Sequence, residues 1–278
     1  MSLLNADRIA FIKSQFGLDD YQIAALQAIH ERSRLSGHVL EVGGSNLPRN
    51  VVFGDLQAAS WTCVDMIDDG RYQVVDNADH YKQITIEPVK NARPAKSGEY
   101  IIFDGPIQEA NTLPDGHFDA VISITSFEHI NDFPVALAQI RRVLKPGGSL
   151  VSYHGPIWSS YCGHHAWVTN ELNFNTELLP PWSHLLYSPE EMQAFLAEKF
   201  DEKIVDEAIR QIYDSPRVNR LFYDDYLRDA ENVGFSTCRL EPYSTIEVPT
   251  DIEARLKARF GSRCSDFGAY GAILTCVA

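Results

Sequence analysis

The sequence predicts an α/β protein with a doubly wound, mostly parallel sheet, and three observations carry that expectation. Five short apolar runs, HVLEVG (38–43), WTCVDM (61–66), YIIF (100–103), FDAVISI (118–124) and SLVSYH (149–154), are too continuous to be half-exposed strands. Segments of helical length separate them, the pattern of parallel strands buried on both faces. Glycines and carboxylates recur where the runs end, at the carboxyl edge where open α/β sheets bind ligands.

The elements follow in order. From Leu3 to about Arg34, apolar residues at Ile9, Ile12, Phe16, Ile23, Leu26 and Ile29 suit one or two amphipathic helices, and Gly37 stops the pattern. Pro134 to Leu144 reads as a crossover helix, stopped by Lys145-Pro146-Gly147-Gly148, a turn that starts the next strand. Residues 155–222 break the pattern: they are rich in Trp, His, Tyr and Pro, and only Pro189 to Phe200 reads as helix. A segment this long after a sheet strand is expected to be a cap insert that covers a substrate. Asp224 to Asn232 resumes the helix pattern, and FSTCRLEP (235–242) and YGAILTCVA (270–278) are two further strands. The expected organisation is one domain: an N-terminal helical part (1–36), a ligand-binding core (37–154), the cap insert (155–222) and a C-terminal completion of the sheet (223–278).

Composition narrows the function. An apolar fraction of 45% with 22% charged residues fits a globular chain. No run approaches a membrane span, and the first residues lack the pattern of a secretory leader. Five scattered cysteines, none in a C-x-x-C pair, suit a reducing cytoplasm rather than a disulfide framework or zinc site. A formal charge of −14 without a basic cluster argues against nucleic acid and for a small-molecule partner.

The first apolar run ends in Glu41-Val42-Gly43-Gly44-Ser45-Asn46, and Asp65 closes the second, 22 residues after Gly43. That is where a carboxylate can accept the hydroxyls of an adenosine ribose. A nicotinamide cofactor also uses such an acid, but G-x-G-x-x-G fails here because Gly43 and Gly44 are adjacent. The chain also lacks the Tyr-x-x-x-Lys relay of many oxidoreductases, and G-x-x-x-x-G-K-[ST] is absent. Acid at Glu41 beside the glycine turn suits a cationic ligand better than a pyrophosphate.

Together EVGGSN (41–46), WTCVDM (61–66), QEANTLPDGHFDAVISITSFEHI (108–130) and LKPGGSLV (144–151) resemble the class I S-adenosylmethionine (SAM)-dependent methyltransferases, particularly their small-molecule branch. The resemblance covers roughly residues 37–154. It implies a Rossmann-like, seven-stranded, mostly parallel sheet with an antiparallel C-terminal strand, and SAM as cofactor. By resemblance, Glu41 and Gly43 face the methionine end of SAM, Asp65 the ribose, Glu109 and Ala110 the adenine, and Ser123 the methionyl group, with Gly44, Ser45 and Met66 also expected to bind the cofactor. Ser45 stands where a second spaced glycine is usual, and Pro48 follows soon after. Asp104 is a rival to Glu109, with a structural role expected. Glu128-His129 also follows the family pattern and is expected to cap and anchor the next helix, with a catalytic or metal role for His129 as the other reading.

Methyl transfer from a sulfonium needs alignment and, for a hydroxyl acceptor, a base; histidine is the natural one near neutral pH. His154, His164 and His165 follow the fifth strand and are the candidate bases. Trp158, Tyr161 and Trp167 are the candidate acceptor-binding walls. Extended neighbours point to opposite faces, so His164 and His165 are not expected to share a metal. The expected function is O-methylation of a small molecule; a SAM-binding protein that transfers nothing, or a nucleotide-binding oxidoreductase, is the alternative.

Overall fold

The computed structural model describes residues 4–43, 47–67 and 85–278. Two N-terminal helices, α1 (Ala6–Phe16) and α2 (Asp20–Arg32), begin where side chains satisfy orphan amides: Asn5 accepts from Arg8, and Asp19 forms a reciprocal capping box with Gln22. Helix α2 buries Ile23, Ala25, Leu26 and Ile29, spaced to keep one face inward.

The sheet has eight strands among the described residues: β1 (His38–Val42), β2 (Ser60–Asp65), β3 (Thr85–Pro88), β4 (Tyr100–Asp104), β5 (Phe118–Ile124), β6 (Leu144–His154), β7 (Ser236–Thr245) and β8 (Ala269–Val277). Their spatial order is β3-β4-β2-β1-β5-β6-β8-β7. The first six pair in parallel, and β8 runs antiparallel between β6 and β7. The β7–β8 ladder is irregular, with three register shifts. Chain order reverses between β1 and β5, and such a switch point opens a crevice at the carboxyl ends of its strands.

Alternate residues of each central strand go to opposite faces. Val39, Trp61, Cys63, Ile102 and Ile122 pack with the two N-terminal helices. Leu40, Val42, Val64, Ile101, Phe103 and Val121 pack on the other face with α3 (Phe133–Val143) and α6 (Tyr223–Asn232). Helix α3 buries Phe133, Ala136, Leu137, Ile140 and Val143, the stripe of a crossover helix.

Residues 155–222 contribute Ile157, Trp158, Trp182 and Leu185 to this second core. They also build a small core of their own, in which Ala166, Leu172 and Leu179 meet Met192 and Leu196 of α4 (Pro189–Ala197) and Val205 and Ala208 of α5 (Glu202–Ile209). No helix of the described residues is long and apolar enough to cross a membrane.

The structure adds to the expected elements. Strand β3 makes the sheet eight-stranded rather than seven; it is mostly exposed and has no apolar alternation to announce it. Helix α5 was signalled by Asp201, whose side chain accepts from Ile204 N, ahead of Ile204, Val205 and Ala208. Helix α7 (Thr250–Phe260) buries only Leu256 and so has little apolar stripe to read. Pro146-Gly147-Gly148 lies within the ladder of β6 rather than ahead of it, with Gly147 at φ 78° and the β5–β6 register shifting there.

Candidate functional site

A cavity of about 330 Å³ opens at the carboxyl ends of β1, β2 and β4 and beside the exit of β5. Its described lining includes Gly43 after β1, Asp65 and Met66 at the end of β2, Gly105 to Glu109 after β4, and Ser126 and His129 to Asp132 after β5. The cavity therefore sits at the switch point of the sheet.

Gly43 is required where it stands. Its φ is 67°, a left-handed conformation that costs side-chain-bearing residues, and a Cβ there would lie 2.2 Å from Ser126 Oγ. Its N–H donates to Val64 O at 2.8 Å, which ties the turn after β1 to β2. Gly44 and Ser45 lie outside the described residues.

Asp65, Glu109 and Asp132 give the cavity three carboxylates. Asp65 Oδ1 accepts from Met66 N at 2.7 Å, which fixes the carboxylate at the strand end. Glu109 is exposed on a short turn, and Ala110 behind it is buried outside the lining. Asp104 accepts from Ile67 N at 2.9 Å, two residues past the end of β2.

Glu41 takes a different position. It is fully buried beside β2, accepting from Trp61 Nε1 at 2.8 Å, and does not line the cavity. Burial, reinforced by the nearby Asp65 charge and opposed by the Trp61 hydrogen bond, pushes its pKa up to about 8. At neutral pH this carboxyl is mostly protonated, so among the described residues the acidic charge of the cavity comes from the other three. Ser123 is likewise buried in β5, away from the lining.

The histidines divide into two groups. His154, at the end of β6, is buried between Phe127 and Tyr226, with Nδ1 2.9 Å from Ser152 Oγ; burial lowers its pKa to about 3. His164 is buried beside His184 and accepts from Ala166 N at 3.2 Å; burial and its histidine neighbours hold its pKa well below the ordinary value. His129, by contrast, lines the cavity, and His165 packs edge-on against it with ring centroids 4.9 Å apart. His129 Nδ1 lies 2.6 Å from Arg217 O and so donates to it, which leaves the ring lone pair on Nε2. His165 Nε2 donates to Pro156 O, and Phe174 stacks on its ring. His164 and His165 thus face different surroundings.

Three aromatic residues lie outside the cavity lining. Trp158 is buried under Arg220 and against His184. Tyr161 packs on Trp182 and Tyr270, and Trp167 is 54% exposed, edge-on to Phe174.

The sequence singled out Glu128-His129 but not the contact that holds its turn. Residues 127–129 form a 3-10 turn after β5, and Glu128 reaches across to accept from Gly155 N at 3.1 Å instead of capping α3. Asp132, the N-cap of α3, adopts φ 49° and makes no side-chain cap bond. No local motif announces the Glu128 contact, because its partner lies 27 residues further along the chain.

Over 95% of its length the chain superposes on all of an S-adenosylmethionine-dependent methyltransferase from Mesorhizobium loti, with 11% identity and a TM-score of 0.49. Over 128 residues it is 28% identical to the malonyl-[acyl-carrier protein] O-methyltransferase of Chlorobium phaeovibrioides, covering 45% of this chain and 43% of that one. Over 76 residues it is 32% identical to an uncharacterised protein of Haemophilus influenzae, covering 27% and 30% respectively. The chain therefore spans less than half the length of these curated relatives. Residues 73–152, which run from ahead of β3 into β6, match the methyltransferase domain family.

Proposed function

We propose that this chain is a SAM-dependent methyltransferase that acts on a hydroxyl group of a small molecule. One observation carries the reading: a switch-point cavity whose glycine turn after β1 faces carboxylates at the ends of β2 and of the turn after β4. Carboxylates in those positions fit hydroxyl and amine donors and a cationic sulfonium, and they would repel a pyrophosphate. Asp65 would hold the ribose hydroxyls, Glu109 the adenine amine, and the Gly43–Ser126 contact would border the methionine end. Bound SAM supplies an electrophilic methyl group whose thioether leaving group needs no proton.

The chain itself then has to align the acceptor and take its proton. His129 is the imidazole proposed for that task, because it lines the cavity and its Nδ1–H is committed to Arg217 O, which makes Nε2 the basic nitrogen. His165, at its edge, is proposed to fix the ring, with Tyr161 and Trp167 as candidate acceptor contacts. Burial supports a packing role for His154, His164 and Trp158.

Calorimetric titration with SAM and, separately, with NADH tests the cofactor. SAM is expected to bind and NADH not to. Asp65→Ala should weaken SAM by about 1–3 kcal/mol, the scale of a lost charge-assisted hydrogen bond. Binding of NADH in place of SAM, or an Asp65→Ala protein that binds SAM as well as the wild type, would sink the reading.

A further inference from the structure

Among the side chains that hold the wall of the cavity formed by residues 129–132, Asn219 makes the most contacts to the turn ahead of it. Asn219 Nδ2 donates to Phe127 O at 2.6 Å and to Ile130 O at 3.2 Å, so a single amide bridges both ends of the turn that carries His129. Its backbone N donates to Glu128 O at 3.0 Å. On its other side, Asn219 Oδ1 accepts from Leu221 N at 3.1 Å and from Tyr226 Oη at 3.3 Å, which points the amide nitrogen at the turn. The neighbouring residues continue the seam: Arg217 O takes the His129 Nδ1–H, and Pro216 O takes Asn131 Nδ2 at 2.6 Å. Every group on the 215–219 side belongs to the last residues of the 155–222 segment.

We propose that Asn219 is the positioning residue for this wall, and that through it the 155–222 segment and the cavity behave as one mechanical unit. The inference rests on the methyltransferase reading only for the identity of the ligand used to probe the cavity. Short turns keep their shape when their carbonyls have fixed donors, and Asn219 Nδ2 supplies one to Phe127 O, which also accepts from Ile130 N at 3.3 Å, and one to Ile130 O. Its own residue type is needed. An aspartate of the same shape keeps the two acceptor contacts but turns an oxygen towards the two carbonyls that Nδ2 now serves. A leucine removes the side-chain donor from both carbonyls and leaves Phe127 O with the long bond from Ile130 N at 3.3 Å.

The test uses Asn219→Asp, with Tyr226→Phe as a milder variant that removes one contact to Oδ1 and keeps the ring. S-adenosylhomocysteine affinity is measured by calorimetry, and amide exchange is followed at residues 128–132 and in β1 and β5. For Asn219→Asp, affinity is expected to fall at least tenfold, and exchange at 128–132 to rise at least tenfold with β1 and β5 unchanged. Tyr226→Phe should shift both in the same direction by two- to fivefold. On the Asn219→Asp background, His129→Ala should cost less than twofold further, because the ring is already displaced. Affinity within twofold of the wild type, or exchange that rises equally in β1 and β5, would overturn the proposal. Should the wild type bind no S-adenosylhomocysteine, the cofactor reading falls, and the exchange pattern alone decides the role of Asn219.

Discussion

Glu41 shows how one residue can match a motif and still behave unexpectedly. Its carboxyl is buried against Trp61 with a pKa raised to about 8, against about 4.3 in an unfolded chain. The folded protein holds this proton more tightly than the unfolded one. Its contribution is therefore fully present below about pH 4.3 and is lost as pH rises towards 8, at up to about 1.4 kcal/mol per pH unit. Glu41→Gln keeps an acceptor for the indole and carries no ionisable proton. Urea unfolding should show a variant that matches the wild type near pH 4 and exceeds it increasingly up to pH 8; parallel pH profiles would contradict this. The sequence showed an acid at a strand end, and Asp65 and Glu109 do reach the cavity. It did not show that strand alternation turns Glu41 into the layer under the N-terminal helices, because the direction of a strand-end side chain depends on which face each layer covers.

At the scale of elements, the readable parts are those whose own residues carry the signal. The central strands are continuous apolar runs, and α3 has a regular stripe. Helix α7 is mostly solvated and strand β3 is short and exposed, so tertiary pairing decides them rather than local pattern. The same holds for the site: Gly43 and Asp65 are legible, whereas the clasp of Asn219 on the 127–130 turn joins residues about 90 positions apart and leaves no local motif. Helix α4 combines both kinds of information. Ser188 and Glu191 form a reciprocal capping box, and Met192 and Leu196 enter the small core of the 155–222 segment. Ser188→Ala should cost about 1 kcal/mol, read as a shift of the urea midpoint. An unchanged midpoint would mean that α4 is held by its core contacts alone.

At the scale of the whole molecule, tyrosines bind the N-terminal helices to the β7 end of the sheet. Tyr21, at the start of α2, meets Tyr243 of β7 through their hydroxyls at 3.0 Å, and Tyr153 at the end of β6 stacks on Tyr243 with centroids 4.1 Å apart. Burial, together with neighbouring phenols and Glu128, raises the pKa of Tyr21 and Tyr243 beyond the ordinary range, so the pair stays neutral and hydrogen-bonded at any physiological pH. Tyr21→Phe and Tyr243→Phe should each cost about 1 kcal/mol in chemical denaturation, because each leaves one hydroxyl without its partner. The double variant should cost less than the sum. Strict additivity would show that the hydroxyl pair contributes nothing.

The irregular ladder of β7 bears on how copies of this chain can meet. A strand at the end of a sheet is a template for another strand only when it is flat and evenly spaced. β7 stands at that end among the described residues, and it is kinked by three register shifts, interrupted by Pro242 and studded with Arg239 and Glu241. A second sheet cannot zip onto it without straightening those kinks and burying those charges. Backbone-to-backbone growth through this edge is thereby disfavoured, so that fibre-like propagation from β7 is blocked by the same kinks and charges that end the sheet.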